Sequence, residues 1–510
     1  MFTNLDLSNL SELLLYQQGS PLLFSSGLFL FLFLGFLTLY IALKRQTNWR
    51  ILYVIAFSLY FYYKSSGLWF LLLIFTATSD FWIGHYMAKT AKDSIRKWLV
   101  TLSLCVNLGM LGYFKYTNFL IASIQNLVHE MGLFFSITSW TTIEPTASFS
   151  IFLPVGISFF TFQSLSYIID VYRKRITPLD HWKDYLFYVS FFPQLVAGPI
   201  VRAIDFIPQI HKNPKVTKEL FGEGLFLILC GLFKKAIISD YISLNFVDRI
   251  FDNPMLYTGF ENLMGVYGYT LQIYCDFAGY SDMAIGIALL LGFRFNINFD
   301  APYKSASITE FWRRWHISLS TWLKDYLYIS LGGNRKGKAR QYINLLITML
   351  LGGLWHGASF RFILWGLWHG LNLAIHKMLM NLFPRIKAMG KDMTKLHRFV
   401  CILITFHIVC FGWIFFRASS MESAWQILSQ IIYHFHPEIV TQFIEGYPVV
   451  VILFILGYIL HFLPSQVDNW FKMRLTNAHL LVQAFVFVLL IVLVIQMKSA
   501  EVQPFIYFQF

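Results

Sequence analysis

The stretch LLGGLWHGASFRFILWGLWHG, residues 350–370, decides how this chain is read. It is apolar over most of its length, yet it holds His356, His369, Arg361 and five glycines. Glycine at this density lets helices approach closely inside a membrane bundle. An ionisable side chain in such a place is a functional candidate by default. The alternative for His356 is a structural histidine that bonds across helices. If residues 350–370 ran on as one helix, His356 and His369 would be offset by about 140°. On that geometry they line no common site, and His369 belongs to packing or to the interface.

The whole chain shares this apolar character. Of its 510 residues 57% are hydrophobic and 13% charged, with a mean hydropathy of +0.57. Soluble domains carry roughly 25% charged residues, so a soluble body could not hide this much apolar surface. The 53 Phe and 15 Trp suit lipid contact and the headgroup interface. The net charge of +13 sits in short clusters between apolar runs, as in cytoplasmic loops. No basic face or motif accompanies it, which excludes a nucleic-acid partner. Cys105, Cys230, Cys275, Cys401 and Cys410 form neither a metal-binding pattern nor a disulfide framework, and no metal site is expected.

Apolar runs of spanning length lie near 21–43, 67–88, 98–115, 149–171, 219–239, 262–292, 342–380, 397–416, 447–464 and 479–498. The run at 51–63 is short and that at 184–200 is broken by Pro193 and Pro199, so both suit tilted, half-inserted or internal segments. The expected fold is all-α, a polytopic transmembrane bundle of about 11 membrane helices with re-entrant or interfacial amphipathic helices. The expected division is an N-terminal spanning helix (1–48), a catalytic core (49–430) and a C-terminal helical pair (431–510). No basic residue precedes Lys44, so the charged start of a cleavable signal peptide is missing and the first run is expected to stay. Basic clusters at Lys44, Arg45 and Arg50, at Lys89, Lys92, Arg96 and Lys97, and at Arg173, Lys174 and Arg175 mark cytoplasmic loops. The N-terminal residues (Asp6, Glu12) and the 125–148 loop (Glu130, Glu144) hold no Lys or Arg, which places the N-terminus outside.

Residues 311–329, FWRRWHISLSTWLKDYLYI, break the pattern. Arg313, Arg314, Lys324 and Asp325 are too many charges for an ordinary span. Trp312, Trp315, Leu319, Trp322 and Tyr326 recur at helical steps along one face, while Arg313, His316, Ser320 and Lys324 share another. The expectation is an amphipathic helix at an interface or dipping into the protein, ended by Gly332, Gly333 and Asn334. The plainer reading is a membrane-surface helix with an incidental histidine.

Together, WRRWHISLSTWLKDYLYISLGGNR (312–335) and GGLWHG (352–357) resemble the paired histidine motifs of the membrane-bound O-acyltransferase superfamily. Supporting stretches are LPVGISFFTFQSLSYIIDVYR (153–173), FPQLVAGPIVR (192–202), YCDFAGYSDMAIGIALLLGF (274–293) and FGWIFFRASSMESAWQIL (411–428). The bacterial branch of alginate O-acetylation and D-alanine-transferring teichoic-acid proteins is most similar. Tyr280-Ser281-Asp282-Met283 and the helices after residue 447 fit the alginate type better. The resemblance implies a catalytic His356 with His316 as its partner. It also implies a central tunnel in a bacterial inner-membrane protein, and acetyl-CoA as donor with no permanently bound cofactor. The acceptor would be an extracytoplasmic polysaccharide, served by an esterase-like acetyltransferase partner outside the membrane.

The chemistry suits these residues. O-acyl transfer needs a hydroxyl made nucleophilic as it meets a thioester carbonyl, and a neutral imidazole can take that proton and return it. His316 then orients, hydrogen-bonds or stabilises the oxyanion. Asp276, Tyr280, Ser281 and Asp282, with Arg313, Ser320 and Lys324, are candidates for substrate binding. Pairing of the carboxylates with Arg294 or Lys324 is the structural alternative. D-alanyl transfer from a carrier protein to teichoic acid is the rival chemistry. A transporter or flippase would show paired halves, and none are visible.

Overall fold

Thr258 opens the longest buried helix with a capping box, its hydroxyl accepting from Glu261 N while the Glu261 carboxylate accepts from Thr258 N. The computed structural model describes residues 13–17, 20–134, 151–383 and 394–497. Among these every regular element is helical. The helices used below are α1 (Gly27–Ala42), α2 (Thr47–Ser66), α3 (Phe70–Lys89), α4 (Asp93–Phe134), α5 (Ile157–Tyr172), α6 (Trp182–Ser190), α7 (Lys218–Leu232) and α8 (Gly259–Leu290). They are followed by α9 (Ile308–Arg314), α10 (Ile317–Trp322), α11 (Lys338–His356), α12 (Phe360–Leu382), α13 (Lys395–Arg417), α14 (Pro448–Phe462) and α15 (Leu480–Met497).

The helix opened by Thr258, α8, is the spine. Small residues let α7 lie against it almost backbone to backbone. A Cβ at Gly279 would stand 2.8 Å from the Gly231 oxygen, and one at Gly286 would stand 2.6 Å from the Gly224 oxygen. After Leu232 the chain widens into a π-helical turn, Phe233–Ser239, which turns two lysines toward α8. Lys235 pairs with Asp276 at 2.5 Å and Asp240 at 2.7 Å, and Lys234 with Asp282 at 2.7 Å. Neither carboxylate pairs with Arg294 or Lys324 as the alternative reading had it. The apolar run 219–239 hid these lysines as partners because a straight helix would have aimed them elsewhere.

Among the described residues, by length and composition, five helices can cross a membrane, or six if the bent pair Pro437–Gly446 and Pro448–Phe462 is one span. The expected count of about eleven is not reached on that measure. The reason lies in runs that are apolar but serve the interior. Residues 184–201 are wholly buried: α6 stops at Ser190, and Phe192 N donates to Ser58 Oγ on α2. The run at 51–63 is part of the full helix α2, which runs on toward α3. Asp6, Glu12 and Glu144, which carried part of the orientation argument, lie outside the described residues.

Two local expectations are corrected. The amphipathic helix at 311–329 is broken at Trp315–His316 into α9 and α10, and its end is a π-helical turn, Leu323–Tyr328. Residues 298–300 lie alongside the break and hold it open: Asp300 N donates to the Arg314 oxygen and Ile317 N to the Asn298 oxygen. The segment is interior, with Phe311, Trp315, His316 and Leu319 all buried. The run 342–380 is likewise two antiparallel helices rather than one. α11 ends at His356, Gly357 turns the chain, and Ser359 caps α12. A Cβ on Gly357 would meet the Phe362 ring at 2.0 Å, so the turn needs glycine.

Candidate active site

His316 sits in the break between α9 and α10, fully buried, with φ 42° and ψ 57°. A left-handed backbone at a residue with a Cβ costs about 1 kcal/mol or more and persists only where the surroundings over-determine it. Here Asn298 does so. Its Nδ2 donates to Ser281 Oγ at 3.0 Å, and the amide orientation is fixed by the main-chain N–H of Ser318, a donor only, on the other end. The Oδ1 then accepts from Ser318 N at 3.2 Å and Ser318 Oγ at 2.9 Å, and faces His316 Nδ1 at 3.2 Å. Nδ1 therefore carries the ring proton, and the Nε2 lone pair is the one left for chemistry. Nε2 is buried without a hydrogen-bond partner among the described residues.

The ring of His316 stands edge-on to Phe277 on α8, with centroids 4.5 Å apart, and lies 6.3 Å from the Trp355 ring. Trp355 is also 4.9 Å from His356. The two predicted histidines thus meet on one indole, although they come from different helices. His356 is 4% exposed, with Trp365 and Phe416 set edge-on to it at 5.0 and 5.2 Å. The turn at Gly357 also folds His369 back, so its ring packs on the same Trp365 at 4.8 Å. The one-helix geometry that separated the two histidines does not hold.

His356 is the last residue of its helix, so carbonyls there have no intrahelical partner. In a bilayer they must find one inside the protein. α4 supplies it: Lys115 Nζ donates to the Trp355 oxygen at 2.7 Å and the His356 oxygen at 2.9 Å, and Tyr116 Oη donates to the Leu354 oxygen at 2.8 Å. A cation at the negative end of the helix is favourable as well. Lys115, Pro154, Gly156, Phe159, Val196 and Trp355 border a cavity of about 80 Å3 beside this helix end. On the other side Trp355 stacks on Phe162 at 5.3 Å, and Phe162 on Trp322 at 4.0 Å.

The remaining predicted residues divide. Ser281 reaches His316 through Asn298. Tyr280 is buried, stacked on Phe24 at 4.7 Å. Asp276 and Asp282 hold the lysines of the π-helical turn. Ser320 donates to the Trp315 oxygen, whereas Arg313 and Lys324 are exposed. Sequence reasoning missed Lys115, Asn298, Phe162 and Trp322. Lys115 left a signal, being a basic residue beside Tyr116 within a long apolar helix. Asn298 left none.

The chain is similar to known proteins over most of its length. A family model described as the membrane-bound O-acyltransferase family matches residues 179–425. A protein named "Probable alginate O-acetylase" from Pseudomonas aeruginosa is 43% identical over 414 residues, 80% of this chain and 74% of its own. The peptidoglycan O-acetyltransferase of Helicobacter pylori is 34% identical over 441 residues, 81% of this chain and 80% of its own. The teichoic acid D-alanyltransferase of Bacillus subtilis is 31% identical over 284 residues, 51% of this chain and 68% of its own. With apolar helices of spanning length beneath them, these matches make one conclusion plain: the chain is a multi-pass membrane protein that belongs to the membrane-bound O-acyltransferase family.

Proposed function

We propose that this enzyme O-acetylates an extracytoplasmic polysaccharide, drawing the acetyl group from a cytoplasmic thioester donor. The observation that carries the reading is the meeting of His316 and His356 at Trp355, with the His316 tautomer set by Asn298. An acceptor hydroxyl loses its proton to an imidazole nitrogen as its oxygen attacks the thioester carbonyl. The tetrahedral intermediate then expels the thiolate, which takes the proton back. His316 Nε2 has the lone pair this requires, and His356 is the second group of the pair, as base or as hydrogen-bonding partner of the developing oxyanion. Acetyl-CoA is the donor this reading favours, with no permanently bound cofactor.

The acceptor side follows from the relatives. Proteins named for alginate and peptidoglycan O-acetylation match about four-fifths of this chain, against about half for the D-alanyltransferase. Glycan acetylation is therefore favoured over D-alanyl transfer. The reading places the protein in a bacterial inner membrane with its N-terminus outside. Residues 49–430 form its catalytic core and 431–510 an appended helical pair. An esterase-like acetyltransferase outside the membrane completes the transfer to the glycan.

The test is the O-acetyl content of the cell-surface glycans in a deletion strain, complemented with the wild type, His316→Ala or His356→Ala. Loss of ester acetyl in the deletion strain, restored only by the wild type, is the expected result. Glycans with unchanged acetylation in the deletion strain would defeat the reading.

A further inference from the structure

The start of α2 and the later turns of α3 lie side by side, because two consecutive residues hold both. Lys183 Nζ donates to Asn48 Oδ1 at 2.7 Å, and Trp182 Nε1 donates to Thr78 Oγ1 at 3.0 Å. The two helices therefore form a hairpin, joined through Gly67–Trp69. Both of its free ends carry basic residues, Lys44 and Arg45 before α2 and Lys89 and Lys92 after α3. Such ends mark where an apolar hairpin meets the lipid headgroups.

An open pocket of about 460 Å3 lies there, between the later turns of α3 and the residues that begin α6. Its size falls in the range of about 300–1,000 Å3 typical of small-molecule sites. Its lining is both aromatic and charged. Trp82 stands edge-on to His85 at 6.0 Å, and Trp182 borders the same space. Asp180 is exposed and enters no ion pair among the described residues, while the next carboxylate, Asp184, is taken by His211 at 2.8 Å. Lys183 is bound to an amide oxygen rather than to a carboxylate, so its charge is not neutralised either. His181 is the N-cap of α6 yet makes no side-chain capping bond, which leaves the first N–H groups of that helix open to an anion.

The pocket thus offers one carboxylate, one ammonium beside a helix N-terminus, and indole rings that attract a cation. That set complements a small zwitterion, an ammonium and a phosphate joined by a short arm. It does not suit a metal ion, since among the described residues no three His, Cys, Asp or Glu side chains come together to hold one. The surface of α3 indicates that the zwitterion is borne by a lipid. Leu71, Phe75, Trp82 and Tyr86 are exposed and recur at helical steps along one face of α3. That apolar stripe runs down the hairpin to the pocket, where a Trp and a Tyr stand at the boundary as in other membrane proteins.

We propose that this pocket binds a phospholipid whose headgroup carries a primary ammonium. Asp180 and the indoles of Trp82 and Trp182 take the ammonium, Lys183 and the N-terminus of α6 take the phosphate, and the acyl chains follow the exposed face of α3. The site shares no residue with the histidine pair and does not depend on the acyl-transfer reading.

The test measures binding of phosphatidylethanolamine, phosphatidylglycerol and chain-free glycerophosphoethanolamine to the full chain in detergent, by native mass spectrometry. Phosphatidylethanolamine is expected to bind about tenfold more tightly than phosphatidylglycerol, the effect of one charge-assisted contact. Asp180→Asn changes an exposed side chain that holds no ion pair, and it is expected to erase that preference. Trp82→Leu keeps the site apolar without the indole, and it is expected to weaken phosphatidylethanolamine about threefold, the size of one exposed cation–π contact. Unchanged affinity for phosphatidylethanolamine in both variants, or no preference in the wild type, would overturn the site. Displacement of the lipid by an equal concentration of glycerophosphoethanolamine would overturn the lipid as its occupant, and failure to displace it supports the lipid.

Discussion

Lys115 Nζ lies 2.9 Å from the main-chain oxygen of His356, and it reaches there from another helix. The bond fixes where the histidine's helix stops. Hydrogen bonds to charged groups contribute about 1.5–3 kcal/mol, and losing one from a helix end shifts the side chain it carries. Lys115→Met is expected to lower kcat about 10–100-fold with KM for the thioester little changed, and Lys115→Arg to restore part of the loss. Steady-state kinetics on protein in nanodiscs decide it. A variant that loses only thermal stability, with normal kcat, would limit Lys115 to architecture.

Asn298 is expected to act through His316. With Asn298→Ala, Nδ1 keeps only Ser318 Oγ at 3.4 Å, a hydroxyl that can donate or accept, so the base-competent nitrogen is no longer defined. Partners that orient a functional histidine typically matter about 10–100-fold, and that loss of activity is expected with the fold intact. Full activity in Asn298→Ala would remove the tautomer argument, which nitrogen-15 NMR of the His316 ring can test directly.

For His356 the expected outcome of substitution by Ala is loss of acetylation with normal insertion and abundance. Near-normal acetyl transfer in that variant would take His356 out of the mechanism and leave His316 as the working residue.

Asp276 is expected to behave as a structural residue despite its place in a motif. It and Lys235 are each 3% exposed and bonded at 2.5 Å. Breaking one side of a buried pair costs about 3–5 kcal/mol, so Asp276→Asn should lower the unfolding temperature strongly. The protein that remains folded should keep its activity per molecule. Inactive but fully stable Asp276→Asn would return it to the substrate site.

Gly353 lets α11 and α12 touch through their main chains. A Cβ there would stand 2.2 Å from the Phe362 oxygen. Gly353→Ala is expected to push the helices apart, displacing His356 one turn later, with loss of both activity and stability by more than 1 kcal/mol. Thermal unfolding and acetylation measured together check it.

Much of the fold was legible because a bilayer leaves few options. Composition alone requires buried helices, and the two histidine stretches were readable as a pair, whose rings the structure brings to Trp355. The breaks were not legible. Hydropathy reads Met349 to Leu373 as one run because Gly357 and Ser359 turn the chain without adding enough polarity to show. Helical spacing put His316 on a face with Arg313 and Lys324, but both point outward while His316 is buried. The cause is Asn298, eighteen residues earlier, and spacing within 311–329 contains no trace of it. Lys234 and Lys235 were invisible as partners of Asp282 and Asp276 for a similar reason: a π-helical turn changes which way a side chain points.

The segment beside the break at His316 works as a register key. The Asn298 oxygen receives Ile317 N, and Asp300 N reaches the Arg314 oxygen. Two fixed points on one short stretch of chain thus set the distance between two helices. One residue added between Asn298 and Asp300 would leave every side chain of the site present and unchanged in kind. It would nevertheless move the Asn298 amide off the His316 ring or release the end of α9, since both bonds cannot be kept at once. The site is therefore expected to be sensitive to length at a place where exchange of an exposed side chain such as Ile297 should have little effect, and a deletion or insertion scan of residues 297–301 would map that sensitivity more sharply than substitution.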